Sequence, residues 1–149
     1  MKILVSACLL GMNCKYDGSN NRNEKVIALM ESNELIPVCP ECLGHLPTPR
    51  VPSEIVGGIV TNAEGHIVDK EFRDGARGAL GIAREREIDC AILQSRSPSC
   101  GVRQVYDGTF SRTLKDGKGI FAQMLADDGF RVLDVEEFCA SPGSIDEKR

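Results

Sequence analysis

The sequence predicts a single α/β domain, a three-layer sandwich with a largely parallel central sheet. Short apolar segments without helical period alternate with longer segments whose apolar residues recur every three to four positions. That alternation is typical of a parallel sheet crossed by helices. The chain has 149 residues, of which 42% are hydrophobic, enough for one well-buried core.

The first part of the chain predicts two strands and one helix. Lys2 to Ser6 is a short apolar strand, followed by turn residues from Gly11 to Asn23. Asn23 is a suitable N-cap for a helix that runs to Glu31, because the apolar residues there lie on one helical face. Leu35 to Val38 is then a second short strand.

Prolines and glycines between Gly44 and Thr61 predict an ordered loop, with a hairpin around Asn62 to Gly65. Asp69 is a candidate N-cap for a helix to Arg86. The glycines of that helix weaken the prediction, although they would permit close packing on a sheet: these are Gly75, Gly78 and Gly81.

The last part of the chain completes the alternation. Cys90 to Leu93 predicts a third strand, Ile120 to Ala126 a third helix, and Phe130 to Val135 a fourth strand. Residues 1–149 are expected to form one domain, with a flexible tail from about residue 140 to residue 149.

Charge and the N-terminal residues limit the possible partners. A net charge of −4 gives no overall attraction for a polyanion, so nucleic acid is only a secondary alternative. Leu4 to Cys8 looks like a lipoprotein cleavage box, but the apolar run before the cysteine is too short for a secretory signal. No segment approaches the ~20 apolar residues of a membrane span. We therefore expect a cytoplasmic protein with reduced thiols.

The seven cysteines are the chemical signal of the sequence, and their odd number means that they cannot all pair as disulfides. Cys8 follows the first strand, Cys39 follows the second, and Cys100 lies in the loop that leaves the third. Open parallel sheets place their sites at the carboxyl ends of the strands. The sequence therefore predicts that these three thiols converge. Cys90, inside a strand, and Cys139 are expected to be structural.

Thiolates select zinc, copper(I) or iron–sulfur clusters, so the pattern restricts the metal without naming it. Cys39 and Cys42 have the C-x2-C spacing of a zinc knuckle, which Cys8 or Cys14 could complete, but no second tight pair is present. A redox dithiol at Cys39 and Cys42 is a third alternative. We rank a cluster above zinc and zinc above a dithiol.

Polar residues next to these cysteines are candidates for the chemistry. Glu41, two residues after Cys39, could activate water, although a salt-bridged carboxylate is the simpler interpretation. Ser97 and Ser99 could position a substrate or cap a turn. Asp17 and Arg50 are secondary candidates for substrate binding, Asp17 as a turn residue and Arg50 as an anion ligand or a loop brace.

Five motifs together resemble the bacterial domain-of-unknown-function family that includes the thiouracil desulfidases. They span most of the chain, in this order: Ser6-Ala7-Cys8-Leu9-Leu10-Gly11, Cys14-Lys15-Tyr16-Asp17-Gly18, Pro37-Val38-Cys39-Pro40-Glu41, Leu46-Pro47-Thr48-Pro49-Arg50 and Ser97-Pro98-Ser99-Cys100-Gly101.

The resemblance implies a [4Fe-4S] cluster held by Cys8, Cys39 and Cys100, with Glu41 as catalytic carboxylate and Ser97 as the matching serine. It further implies non-redox removal of sulfur from a thiolated pyrimidine base or nucleoside, which leaves the oxo form and hydrosulfide. Thiolated nucleosides in RNA and a metal-binding module without catalysis are the alternatives. Two positions depart from the family pattern: His45, where glycine is usual, and Gln94, where lysine often stands.

Overall fold

A four-stranded parallel sheet forms the centre of the protein, in a computed structural model that describes residues 1–146. The strands are β1 (Lys2–Ser6), β2 (Glu34–Val38), β3 (Ser53–Val56), β4 (Ile59–Asn62), β5 (Cys90–Leu93), β6 (Gln104–Tyr106), β7 (Leu114–Asp116) and β8 (Val132–Asp134). The α-helices are α1 (Glu24–Ile27), α2 (Pro40–Leu43), α3 (Asp69–Glu85), α4 (Ile120–Asp127) and α5 (Val135–Ala140). Single 3-10 segments cover Ala7–Leu10, Ala28–Glu31 and Pro142–Asp146.

The central sheet has the order β2-β1-β5-β8, and every neighbouring pair is parallel. Successive side chains of a strand point to opposite faces, so each strand contributes to two cores. Leu4 and Leu93 face the core that α3 and α4 cover, whereas Val5 and Ile92 face the core that α5 covers. The prediction of an α/β sandwich with a largely parallel sheet is confirmed.

The predicted helices are present with different details. Asn23 caps α1, since its side chain accepts hydrogen bonds from the amides of Lys25 and Val26, but the helix tightens to 3-10 geometry from Ala28. Asp69 is not the N-cap of α3. It is the first helical residue, and its carboxylate accepts from Val60 N at 2.9 Å and from Arg73 Nε at 2.7 Å.

The Pro/Gly-rich segment contains two strands that the sequence did not predict. β3 and β4 pair across Gly57 and Gly58, both with positive φ, and a second turn at residues 62–65 brings Thr61 opposite Ile67. The hairpin thus begins earlier than expected. It was missed because glycine supplies the turn but weakens the strand pattern on either side.

The chain after β8 forms one more helix. The strand stops at Asp134, which caps α5 by accepting from the amides of Glu136 and Glu137. Within the segment expected to be a tail, Ile145 is buried in the second core and its carbonyl accepts from Arg131 at 2.7 Å. The rest of the expected tail, residues 147–149, lies outside the described residues.

Among residues 1–146, no helix combines the length and the apolar character that crossing a membrane requires.

Candidate functional site

Three cysteines follow three adjacent strands at one edge of the sheet. Cys8 lies in the 3-10 segment directly after β1, Cys39 is the N-cap of α2 directly after β2, and Cys100 lies in the loop that leaves β5. Because β2, β1 and β5 are parallel neighbours, their carboxyl ends meet at the same edge. The topology therefore brings together residues that are far apart in the chain.

The electrostatics of the thiols also reflect this proximity. Burial raises the pKa of Cys100, and the thiols of Cys8 and Cys39 raise it further. Burial likewise raises the pKa of Cys8, against a hydrogen bond from Asn21, and Cys39 adds to the increase. Burial and a neighbouring like charge both disfavour the ionised form of a thiol, and the effect of the neighbouring charge requires that the two groups lie close together. A positively charged group bound between them would remove both penalties.

Two further thiols border Cys39. A hydrogen bond with Cys14 is the largest cause that raises the pKa of Cys39, and the same bond lowers the pKa of Cys14. Cys42, on α2, is exposed, and its Sγ lies 3.8 Å from Thr48 Oγ1. The short helix after Cys39 was not predicted, since Pro40 ended the expected strand without a recognisable helical period.

Among the described residues 1–146, no three or more Cys, His, Asp or Glu side chains form a group that could hold a metal ion. A single zinc ion binds sulfur at about 2.3 Å, so its ligands must nearly touch one another. Thiolates bound to separate irons of a cluster lie further apart. Of the two thiols that could complete the Cys39–Cys42 pair, Cys14 is the one that hydrogen-bonds Cys39.

Both oxygens of the Glu41 carboxylate are held. Arg50 Nε donates to Oε1 at 3.0 Å, and Ser99 Oγ donates to Oε2 at 2.9 Å. The side chains of Arg50 and Glu41 are only 7% and 15% exposed, so this is a largely buried ion pair. Burial works against the charge on Arg50, but the Glu41 carboxylate outweighs it and raises the pKa of the guanidinium.

Arg50 also ties two loops together. Its Nη1 donates to Pro47 O at 3.1 Å and to Thr48 Oγ1 at 3.0 Å, and its Nη2 donates to Cys14 O at 2.8 Å. The guanidinium is therefore occupied by protein acceptors and acts as a brace, the second of the two roles that the sequence offered. No sequence spacing could have indicated the bond to Cys14, 36 residues away.

The serines of the Cys100 loop surround a tight turn. Ser97 Oγ accepts from Ser99 N at 3.1 Å and from Cys100 N at 3.0 Å, and it lies 3.0 Å from Ser99 Oγ. Ser99 is only 1% exposed. Ser97, which is partly exposed, is the serine that solvent can reach.

Close backbone contacts fix the turns that carry these residues. A Cβ at Gly75 of α3 would lie 1.8 Å from Pro40 O, and one at Gly44 would lie 2.0 Å from Glu71 O. The close packing expected from the α3 glycines thus occurs at Gly75 alone, against α2 rather than the sheet. Gly78 and Gly81 face open space. His45 follows with φ 67°, a left-handed conformation that explains why glycine suits this position.

Asp17 lies apart from these contacts. Its carboxylate is exposed and accepts hydrogen bonds from the amide of Ser19 at 3.0 Å and from the Ser19 hydroxyl. Two residues that the sequence did not single out touch the thiols. Asn21 Nδ2 donates to Cys8 Sγ at 3.5 Å, and a hydrogen bond with Ser6 lowers the pKa of Cys100. Asn21 lies outside the five motifs, whereas Ser6 opens the first of them but had no role assigned to it.

The two remaining cysteines lie elsewhere. Cys90 is buried within β5, and burial raises its pKa to about 11. Cys139 contacts Asn23, whose Nδ2 donates to its Sγ at 3.3 Å. A cleft of about 300 Å³ beside α5 is lined by Ser95, Asp134 and two arginines. Each arginine forms an ion pair with a glutamate: Arg96 with Glu136 and Arg103 with Glu137.

Comparisons with known proteins agree with this architecture. The family model described as 2-thiouracil desulfurase matches residues 3–137. An uncharacterised protein of Bacillus subtilis (strain 168), YbbK, is 38% identical over 145 residues, which cover 91% of this chain and 96% of that one. A solved structure described as the [4Fe-4S]-dependent thiouracil desulfidase TudS superposes with a TM-score of 0.90 and 35% identity, covering 97% of each chain. With its three-layer fold and a family match over nearly its whole length, the chain belongs to the 2-thiouracil desulfurase family.

Proposed function

We propose that this protein is a desulfidase that converts the thiocarbonyl of a thiolated pyrimidine base or nucleoside to a carbonyl and releases hydrosulfide. The single observation that best supports the chemistry is the Glu41 carboxylate, held by Arg50 and Ser99 two residues after Cys39. A carboxylate fixed in this way is suited to take a proton from an attacking water.

The proposal includes a [4Fe-4S] cluster, which Cys8, Cys39 and Cys100 would hold. The donor set fits, because these thiols are partly or fully buried, Cys39 raises the pKa of Cys8, and both raise the pKa of Cys100, so that a cationic iron group would stabilise the thiolate forms. When bound by three thiolates, such a cluster has one iron without a protein ligand, which supplies Lewis acidity toward a substrate sulfur.

The residues of the chain would perform the remaining steps. Glu41 would accept a proton from water as its oxygen adds to the thiocarbonyl carbon, and Ser97, the partly exposed serine of the loop, would face the pyrimidine. Carbon exchanges sulfur for oxygen at the same oxidation level, so no external electron donor is required. Reduced thiols would be needed throughout, so this chemistry would suit a compartment such as the cytoplasm.

The test begins with anaerobic reconstitution by iron and sulfide, followed by incubation with 2-thiouracil. We expect uracil and sulfide in equal amounts. The Cys8→Ala, Cys39→Ala and Cys100→Ala variants should each lose iron and the visible cluster absorption. Cys139→Ala, which removes a thiol that contacts Asn23 instead, is the matched control and should retain both.

Two outcomes would overturn the proposal. Full cluster assembly in the three variants would show that the ligand set is wrong. Stoichiometric zinc instead of iron in protein purified without oxygen, with Cys42 essential and Cys100 dispensable, would favour a metal-binding module without catalysis. A panel that compares free thiouracil, its nucleoside and a thiolated RNA oligonucleotide decides the substrate class, and turnover of the oligonucleotide alone would contradict a small-molecule substrate.

A further inference from the structure

The loop that leaves β5 carries a chain of two hydroxyls that ends on Glu41. Ser97 Oγ lies 3.0 Å from Ser99 Oγ, and Ser99 Oγ lies 2.9 Å from Glu41 Oε2. A third hydroxyl in the same loop does not join the chain, because Ser95 Oγ donates instead to Asp134, at 2.8 and 2.9 Å from its two oxygens.

The direction of each hydrogen bond follows from the number of donors. A hydroxyl has one proton to donate, and a carboxylate has none. Glu41 is ion-paired with Arg50, so the proton between Ser99 and Glu41 must come from Ser99. Ser99 then has no proton for Ser97, and Ser97 must donate to Ser99. Two backbone amides, those of Ser99 and Cys100, donate to Ser97 Oγ and fix the position of that oxygen.

We propose that Ser99 is a positioning residue that joins Glu41 to Ser97 and passes a proton between them during desulfidation. The inference rests on the proposed function. Ser99 is 1% exposed, so its hydroxyl acts through its two neighbours rather than on the substrate. This role replaces the substrate contact that the sequence offered for Ser99.

The proton balance of the step is complete without a further reactant. Water oxygen bonds to the thiocarbonyl carbon and gives one proton to Glu41 Oε2. The carbon–sulfur bond then breaks, with its electron pair on sulfur. Protonated Glu41 is a donor, so both hydroxyls turn: Glu41 gives its proton to Ser99 Oγ, Ser99 passes its own to Ser97 Oγ, and Ser97 passes its own to the departing sulfur. The second proton of the water leaves the new carbonyl oxygen for solvent, so thiocarbonyl and water become carbonyl, hydrosulfide and one proton.

Kinetics of the iron-loaded protein test the proton transfer. In Ser99→Ala we expect kcat for 2-thiouracil to fall about 100-fold with KM within about twofold, because only the proton transfer is lost. A curved dependence of kcat on the fraction of D2O indicates that more than one proton moves in the step. In Ser99→Ala this dependence should become linear. Ser95→Ala removes a buried hydroxyl from the same loop and should behave as the wild type. An unchanged kcat in Ser99→Ala, or a loss confined to KM, would overturn the proposal.

A second measurement does not depend on turnover. In the full-length chain without iron, the carboxyl ¹³C resonance of Glu41 should shift in Ser99→Ala and also in Ser97→Ala, which has no direct contact with Glu41. Ser95→Ala should leave it in place. If the Glu41 resonance does not shift in Ser97→Ala, the chain of hydrogen bonds is wrong. If the wild-type protein does not turn over thiolated pyrimidines, the proposed function is wrong, but the coupling of Ser97 to Glu41 is not.

Discussion

At the residue scale, Arg50 joins several segments of the candidate site. Its guanidinium joins Glu41, the Thr48 turn and the carbonyl of Cys14, while almost no part of it reaches solvent. Such a brace does two things at once. It pairs with a carboxylate beside buried thiols, and it holds the loop of Cys14 against α2.

Arg50→Met should therefore destabilise the protein strongly, because it leaves the Glu41 carboxylate buried without its partner. We expect a loss of about 3 kcal/mol in the free energy of unfolding, measured by urea denaturation. Arg22→Met is the matched control, since the Arg22–Glu24 pair is 56% and 73% exposed. That change should cost less than about 0.5 kcal/mol. Equal effects of the two substitutions would contradict the bracing role.

Sequence reasoning reached some of these residues and not others. Glu41 and Ser97 stand beside cysteines in the chain, so adjacency and the family resemblance were enough to nominate them. The function of Arg50 as a brace depends on acceptors from three separate segments, which only the folded chain brings together. The same holds for Asn21 at Cys8.

At the element scale, the site depends on how closely α2 approaches α3. Gly75 leaves no room for a side chain against Pro40, so the turn that carries Cys39 and Glu41 rests directly on the α3 backbone. A contact between two backbones cannot adjust as a contact between side chains can.

Gly75→Ala should push α2 away from α3 and disturb both stability and the site. We expect a loss of about 2 kcal/mol or more in the free energy of unfolding, as for an overpacked core position, together with weaker cluster retention measured as iron per chain. Gly78→Ala, on the same helix but facing open space, should instead stabilise the protein by up to about 1 kcal/mol. A stabilising Gly75→Ala would show that the contact is not tight.

The elements that sequence reasoning missed are the short ones. β6 and β7 have three residues each and α2 has four, too few to display a period. The four sheet strands were found because they are continuous apolar runs, and α3 because its 17 residues repeat one apolar face. α5 was missed because Asp134 ends β8 and caps the helix at the same residue.

At the scale of the whole molecule, the proposed cluster would contribute to the stability of the fold. A group that binds the native state and not the unfolded chain shifts the equilibrium toward the native state. Cys8, Cys39 and Cys100 follow three neighbouring strands, so a group bound to all three would link β2, β1 and β5.

Removal of iron by a chelator should therefore lower the thermal midpoint of the wild-type protein. Binding stabilises the native state by about 3 kcal/mol when the free ligand is somewhat above 100 times its Kd. Loss of that stabilisation would lower the thermal midpoint by several degrees. Cys100→Ala should show no such difference between chelated and reconstituted samples. A midpoint that does not respond to chelation in the wild type would place the cluster outside the folded core.

The spacing of the three cysteines along the chain would also set the timing of insertion of the proposed cluster. Cys8 leaves the ribosome early, yet Cys100 follows only after β5 has been made, and β5 must then add beside β1. No partly synthesised chain that ends before β5 can offer all three thiolates. Iron and sulfide delivery would therefore act on the released, folded protein, and a nascent chain would be exposed to oxidation at Cys8 and Cys39 for as long as translation takes.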